Sequence, residues 1–415
     1  MKQGWETKKL GEVLTIERGG SPRPIDKYMT TSPDGINWIK ISDATVSDKF
    51  IYETKEKITR DGLHKTRIVN EGDFILSNSM SFGRPYIMKT TGCIHDGWLV
   101  LKENGKKIFE TEFLYYLLSS PFVFQQFNSK AAGSTVRNLN IALVSSVNVP
   151  IPPLPEQQRI VAILDEAFAA IAKAKANAEQ NLKNAKELFE SYLQTVFSTK
   201  GEGWDERRLG ESDLIEIIDG DRGKNYPTQK DFLDNGFCLF MNTKNVRPNG
   251  FEFNTTMFIS EAKDKAMGKG KLKRNDVVMT TRGTIGNLGV FNDEVEYENI
   301  RINSGMLIFR PNQKQITSEY LFEILRSGII KEQIKKHVSG AAQPQLPIKT
   351  LVNFEIPVPK LIKEQQTIVQ KLNSLSAQTQ KLEAIYQQHI NDLEELKKSI
   401  LQKAFNGELK TTTAH

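Results

Sequence analysis

The chain repeats itself, and a repeat of this length limits the architecture before any local propensity is read. Gly4-Trp5-Glu6 with Lys9-Leu10-Gly11-Glu12 returns as Gly203-Trp204-Asp205 with Arg208-Leu209-Gly210-Glu211. Gly72-Asp73-Phe74-Ile75-Leu76-Ser77 is echoed by Asn275-Asp276-Val277-Val278-Met279-Thr280, and Phe113–Leu118 by Tyr320–Leu325. The closing phrases match best: Pro153–Leu164 recurs as Lys360–Leu372, aligned on Glu156-Gln157-Gln158 and Glu364-Gln365-Gln366. The offset is 199 residues at the tryptophans, 207 at Pro150 and Pro357, and 208 at Glu-Gln-Gln. Length differences therefore fall inside each repeat, where loops absorb insertions cheaply.

Each repeat reads as a strand-rich domain followed by a long helix. Short apolar runs (Phe74–Leu76, Trp98–Leu101, Val277–Met279, Met306–Phe309) are bounded by Gly, Asp and Asn, as strands are. Thr111–Leu118 and Ser318–Leu325 predict embedded helices, with the Thr or Ser as cap. The fold class expected is α+β, two similar domains separated by two long helices that form an antiparallel coiled coil. The expected segments are a domain over 1–152, a helix over 153–200, a second domain over 201–359, a second helix over 360–409 and a tail over 410–415.

The helices are read from their spacing. Ile160, Leu164, Ala167, Ile171, Ala174, Ala178, Ala185, Leu188 and Tyr192 lie on one stripe interrupted by Asn181. Ile368, Leu372, Leu375, Leu382, Tyr386, Leu393, Leu396 and Ile400 form the other, with Thr379 and His389 as polar insertions. Intervals averaging about 3.5 residues mark a coiled-coil seam. A helix of some 42 residues extends roughly 63 Å, too far to bury its stripe against one small domain. The other copy is the expected partner; homo-oligomerisation is the alternative.

Composition narrows the function classes. Formal net charge is +6, from 56 basic and 50 acidic residues. The stretches Glu156–Phe197 and Glu364–Phe405 are nearly neutral, leaving 46 basic against 39 acidic residues elsewhere. The surplus belongs to the domains, where a phosphate-contacting surface needs it. Cys93 and Cys238 form no CxxC pair, and the histidines His64, His95, His337, His389 and His415 show no metal-ligand spacing, so no zinc site or disulfide is expected. Neither a signal peptide nor a run of about 18 apolar residues is present, which predicts a cytoplasmic protein.

The alternation of domain and helix, with paired exits from Val149 to Leu164 and from Ile356 to Leu372, resembles the specificity subunits of type I restriction-modification enzymes. Local phrases resemble their target recognition domains: Trp38-Ile39-Lys40-Ile41-Ser42-Asp43, Asp219–Pro227, Arg282-Gly283-Thr284-Ile285-Gly286 and Gly340–Leu346. The resemblance covers essentially the whole chain. It implies a non-catalytic subunit whose first domain reads one half of a split double-stranded DNA target and whose second reads the other. Because the domains differ outside their frame, the implied target is asymmetric. It further implies two methyltransferase subunits docked on the helices, a restriction and motor subunit in the full complex, and S-adenosylmethionine, ATP and Mg²⁺ on those partners, with no cofactor in this chain.

Base reading needs donors and acceptors in approachable loops, with Lys and Arg on phosphates. The candidates are Arg18, Ser21, Arg23, Lys40, Asn78, Ser79, Arg84, Ser134, Thr135 and Arg137 in the first domain. In the second they are Arg222, Lys224, Asn225, Lys244, Arg282, Thr284, Gln343 and Gln345. Glu156, Gln157, Gln158, Glu364, Gln365 and Gln366 are candidates for contacting a partner; the glutamates also suit the positive end of a helix dipole. No methyltransferase motif is present, and Gly223-Lys224 is followed by Asn225 where a phosphate loop needs Ser or Thr. A nuclease built on Asp34, Glu53 and Lys55, or a coiled-coil scaffold without type I partners, are the competing readings.

Overall fold

The computed structural model describes residues 3–44, 47–78, 82–131, 138–199, 201–248, 250–338 and 345–409. It divides into two compact units, residues 1–178 with 388–415, and residues 179–387. Each unit holds one domain, one end of the helix that follows it, and one end of the other long helix.

In the first unit, strands Leu14–Arg18, Trp98–Glu103, Phe74–Ser77, Pro85–Met88 and Phe50–Ile51 form one sheet in that order. A second sheet runs Met29–Thr30, Glu56–Ile58, Ile36–Ile39, Gly92–Ile94, Arg67–Val69. The second unit keeps the plan: Ile215–Asp219, Met306–Pro311, Val277–Thr280, Leu288–Val290 in one sheet, and Phe258–Ile259, Cys238–Met241, Ile300–Ile302 in the other. In the second sheet of each domain one pair is parallel, Cys93 facing Trp38 and Arg301 facing Phe240.

The repeated phrases have a physical cause. The opening strand Glu6–Lys9 pairs antiparallel with the exit strand, Glu6 facing Ile151 and Lys9 facing Asn148. Trp204–Arg208 pairs in the same way with Glu355–Pro359. Each domain thus closes its ends on one another immediately before its long helix. Gln126 clamps the exit, its side chain donating to Asn148 O at 2.9 Å and accepting from Asn148 N at 3.0 Å. Gln333 repeats this on Glu355 at 3.0 Å both ways.

The embedded helices Thr111–Leu118 and Ser318–Arg326 form as expected, but their caps lie one residue earlier. The Glu110 carboxylate accepts from Phe113 N at 2.7 Å and the Thr317 hydroxyl from Tyr320 N at 3.2 Å. Thr111 and Ser318 are already helical.

The long helices span Leu154–Ser198 and Ile362–Phe405. Within the first unit they run antiparallel: Lys175 reaches Glu394 at 2.5 Å, while Ile160 and Leu164 share a core with Leu401, Ala404 and Phe405. Within the second, Leu193 and Phe197 pack with Val369 and Leu372. The stripe differs from the expected one at several positions. Leu164, Ile171, Ala178 and Ala185 are buried at steps of seven residues, but the next buried position is Leu193, and Leu188 is exposed. Leu382, at mid-helix, and Leu396 are exposed too, while Thr379, the polar insertion on the expected stripe, is buried. A helix of 3.6 residues per turn drifts about 20° per heptad against a strict seven-residue seam. At their ends the helices bury whichever face meets the domain.

Candidate nucleic-acid interface

In the first domain the strand Leu14–Arg18 runs into Gly19, which lies so close to the turn His95-Asp96-Gly97 that a Cβ there would sit 2.2 Å from the His95 carbonyl oxygen. Glycine is required by that approach. It brings four candidates onto Asp96. Ser21 Oγ donates to the carboxylate at 2.7 Å, and the Arg23 guanidinium stands 3.6 Å from it. Arg18 Nε and Asn78 Nδ2 donate to the Asp96 carbonyl at 3.0 and 2.7 Å. The Ser21 hydroxyl, foremost among several groups, holds the Asp96 carboxyl below its ordinary range despite partial burial. Arg23 is 82% exposed, so its cation is available to solvent or to a phosphate.

Lys40 faces this group across a cleft of about 840 Å³ lined also by Trp38 and His95, and pairs with Glu56 at 2.6 Å. Burial lowers the His95 pKa below its usual value, and its Nδ1 accepts from Gly97 N at 2.8 Å, so the ring is neutral near pH 7. Arg84 does not join the cleft. It pairs with Asp48 at 2.7 Å over the Tyr86 ring.

The second domain uses the corresponding turn, Asn303-Ser304-Gly305. A Cβ on Gly220 would meet the Asn303 carbonyl oxygen at 2.2 Å, the same close approach as Gly19. Arg222 donates to Asp219 at 3.2 Å and to the Ser304 carbonyl at 3.3 Å. Asp221 is buried, which pushes its pKa up, but backbone N–H groups of Gly223, Gly268 and Lys269 at 2.6, 2.6 and 3.2 Å outweigh this and hold it ionised. Asn225 Nδ2 donates to Ala266 O at 2.7 Å. With exposed Lys224 these residues line a cleft of about 540 Å³.

Thr243, beside exposed Lys244, and Arg282 also flank this turn: a Cβ on Gly305 would lie 3.0 Å from the Thr243 methyl and 3.9 Å from the Arg282 Cβ. Arg282 forms a bridge with Gln345, and exposed Thr284 follows it, its carbonyl accepting from Thr280 Oγ1 at 2.5 Å. Ser79, Ser134, Thr135, Arg137 and Gln343 lie outside the described residues.

Sequence reasoning missed the turn on which both groups converge. His95-Asp96-Gly97 and Asn303-Ser304-Gly305 each precede the sheet's long strand, and their polar, Gly-ended pattern was the available signal.

The Glu-Gln-Gln phrases require a correction. Gln157 is fully buried: its carbonyl accepts from Glu110 N at 2.7 Å and its amide donates to the carbonyls of Ile108 and Pro152, both at 2.9 Å. Gln365 makes the same bonds to Thr317 N at 2.9 Å, Gln315 O at 2.8 Å and Pro359 O at 3.1 Å. Both are internal latches between helix and domain, and their side chains are unavailable to a partner. Glu156 forms a two-pronged pair with Arg159 at 2.7 and 2.8 Å, while Glu364 accepts from Trp204 Nε1 at 2.7 Å. Gln158 and Gln366 are exposed.

Among the described residues no three His, Cys, Asp or Glu side chains gather closely enough to hold a metal, and no helix is long and apolar enough to cross a membrane. Asp34, on which the nuclease reading rests, is exposed in a turn, its N–H directed at Ser32 Oγ at 3.4 Å.

Two similar α+β domains, each exposing a polar cleft of different composition and each leading into a long helix, define a duplicated recognition subunit. The model of the type I restriction modification DNA specificity domain matches residues 2–183 and again 201–394, and the chain belongs to that family as a non-catalytic DNA sequence-specificity subunit. It is 24% identical to the type I restriction enzyme MjaVIII specificity subunit of Methanocaldococcus jannaschii, over 98% of this chain and 93% of that one. It is 26% identical to the EcoBI specificity subunit of Escherichia coli, over 72% and 66%. Among solved structures, a chain from a study of type I R-M complex assembly and conformational transition superposes with TM-score 0.77 at 23% identity, covering 99% of both chains. The HsdS subunit from Thermoanaerobacter tengcongensis gives 0.63 at 23% identity, covering 99% and 98%.

Proposed function

We propose that each domain reads one half of a split, asymmetric DNA target with the cleft beside its central turn. The first uses Arg18, Ser21, Arg23, Lys40 and Asn78; the second uses Arg222, Lys224, Asn225, Lys244, Arg282, Thr284 and Gln345. The observation that carries this reading is the use of one backbone position, His95–Gly97 and Asn303–Gly305, to gather different side chains in the two domains. A common frame with unlike polar groups is what two different half-sites require. Arg84, paired with Asp48 outside the cleft, is assigned to phosphate contact.

The helices dock two methyltransferase subunits, with exposed Gln158 and Gln366 as repeated contact points, and a restriction and motor subunit joins through them. S-adenosylmethionine, ATP and Mg²⁺ act on those partners, and the complex works in the cytoplasm. Methylome sequencing of cells carrying this chain with its methyltransferase tests the reading: it expects one two-part motif with unlike halves. A continuous or palindromic motif would refute it.

A further inference from the structure

The second domain has an aromatic groove on a stretch where the first domain sets its own lysines against the rings. Phe50-Ile51-Tyr52-Glu53-Thr54 and Phe251-Glu252-Phe253-Asn254-Thr255 are the same stretch of the two repeats. Their continuations agree, because Ile58 faces Ile36 as Ile259 faces Cys238 in corresponding strand pairs.

In the first domain Lys49 Nζ lies 5.1, 4.9 and 5.7 Å from the ring centres of Phe50, Tyr115 and Tyr116, and it pairs with Glu112. Lys89 Nζ lies 5.1 Å from the Phe50 ring. The second domain has Gly250 in the place of Lys49 and Asn292 in the place of Lys89. The rings persist. Phe251 and Phe253 are 5.8 Å apart and Phe253 and Tyr297 5.1 Å, while Phe322, which corresponds to Tyr115, forms a further wall.

With neither lysine present, the second domain has an open groove of about 700 Å³ whose lining includes Gly250, Asn292, Glu294 and Glu296. Among the described residues the nearby cations are engaged elsewhere: Arg247 pairs with Glu252 at 3.1 Å, Arg274 with Glu298 at 2.8 Å, and Arg326 with Glu323 at 2.6 Å. Ring faces and carboxylates that hold no cation among the described residues suit an organic ammonium, whereas a metal ion would demand a closer set of oxygens.

We propose that this groove takes a lysine side chain presented by a partner protein, held by the rings of Phe253 and Tyr297 and the carboxylates of Glu294 and Glu296, a ring-and-carboxylate cradle of the kind that Lys49 occupies in the first domain with a different set of residues. The proposal is independent of how DNA is read. Saturation-transfer difference NMR on the full chain tests it, with acetyl-Gly-Lys-Gly-amide as probe and the Nε-acetylated peptide as its neutral control. Saturation should reach the lysine Cδ and Cε protons of the charged probe and not the neutral one. Asn292→Lys, which restores the cation found at Lys89, should abolish the signal. Exposed Glu294→Gln with Glu296→Gln should weaken it without disturbing the fold. Lys49→Gly should open the first groove and raise the total signal. Equal transfer to both probes, or transfer that survives both the lysine and the glutamine variants, would overturn the proposal. So would dimerisation of this chain that Asn292→Lys abolishes, since the lysine donor would then be a second copy.

Discussion

The two domains share a frame and differ in what they place on it. Gln157 and Gln365 make the same three bonds, Gln126 and Gln333 the same clamp, and Gly19 and Gly220 the same close approach. In the parallel pair of the second sheet the positions diverge completely. Cys93 is a buried thiol, its pKa pushed up to about 11 by burial. The corresponding Arg301 is a buried guanidinium bonded to Asp264 at 2.6 Å and to carbonyls of Lys269, Asp264 and Met267 at 2.6, 2.7 and 3.1 Å. One backbone thus tolerates an apolar or an ionic centre when the second is fully bonded. Specificity can diverge because backbone hydrogen bonds, not cleft side chains, maintain the frame.

The largest effect expected from breaking this comparison is at that pair. Asp264→Ala strips a buried guanidinium of its carboxylate and should cost about 3–5 kcal/mol in urea unfolding. Cys93→Ala, at the matching sheet position, should cost about 1 kcal/mol. Similar losses would show that the two centres are energetically alike after all.

The latches should respond equally. Gln157→Leu and Gln365→Leu each leave one buried N–H and two carbonyls without their partner, a loss of about 2–3 kcal/mol in the unit affected. Hydrogen exchange at Glu110 and Thr317 locates the damage. A clear inequality would mean that the repeated geometry hides different local support.

Smaller effects fall on recognition and separate the domains. Arg23→Ala and Arg222→Ala should each lose about 1–3 kcal/mol of discrimination, relaxing a different half of the target. Lys224→Ala should weaken all sequences alike and lower the slope of log K against log salt by about 1. Binding titrations on half-site variants at several salt concentrations distinguish these outcomes.

The smallest effect is on acid stability in the second domain. Backbone and hydroxyl donors of Thr228, with Lys263, hold the Asp231 carboxyl down at about 2, against an ordinary 3.8. A depressed carboxyl stabilises the fold above its unfolded pKa, and that contribution disappears as pH falls through the folded value. Asp231→Asn should therefore flatten the stability profile between 3.8 and about 2. An unchanged acid limb would place the pH dependence elsewhere.

The sequence by itself determined the duplication, the α+β class and the two long helices, because apolar periodicity and repeated phrases are local and survive without a partner. It also picked out Arg18, Ser21, Arg23 and Asn78. Tertiary structure alone decided that they meet on Asp96, because residues 18, 78 and 96 become neighbours only when separate strands pair. It also decided that Gln157 and Gln365 face inward while Gln158 and Gln366 face outward, since a helix turns its successive residues by about 100° and the packing partner selects the buried one. The drift of the helical stripe to Leu193 and Phe197 has the same origin. Heptad spacing indicates that a helix has an apolar face, but only the surface it meets determines which residues are buried there.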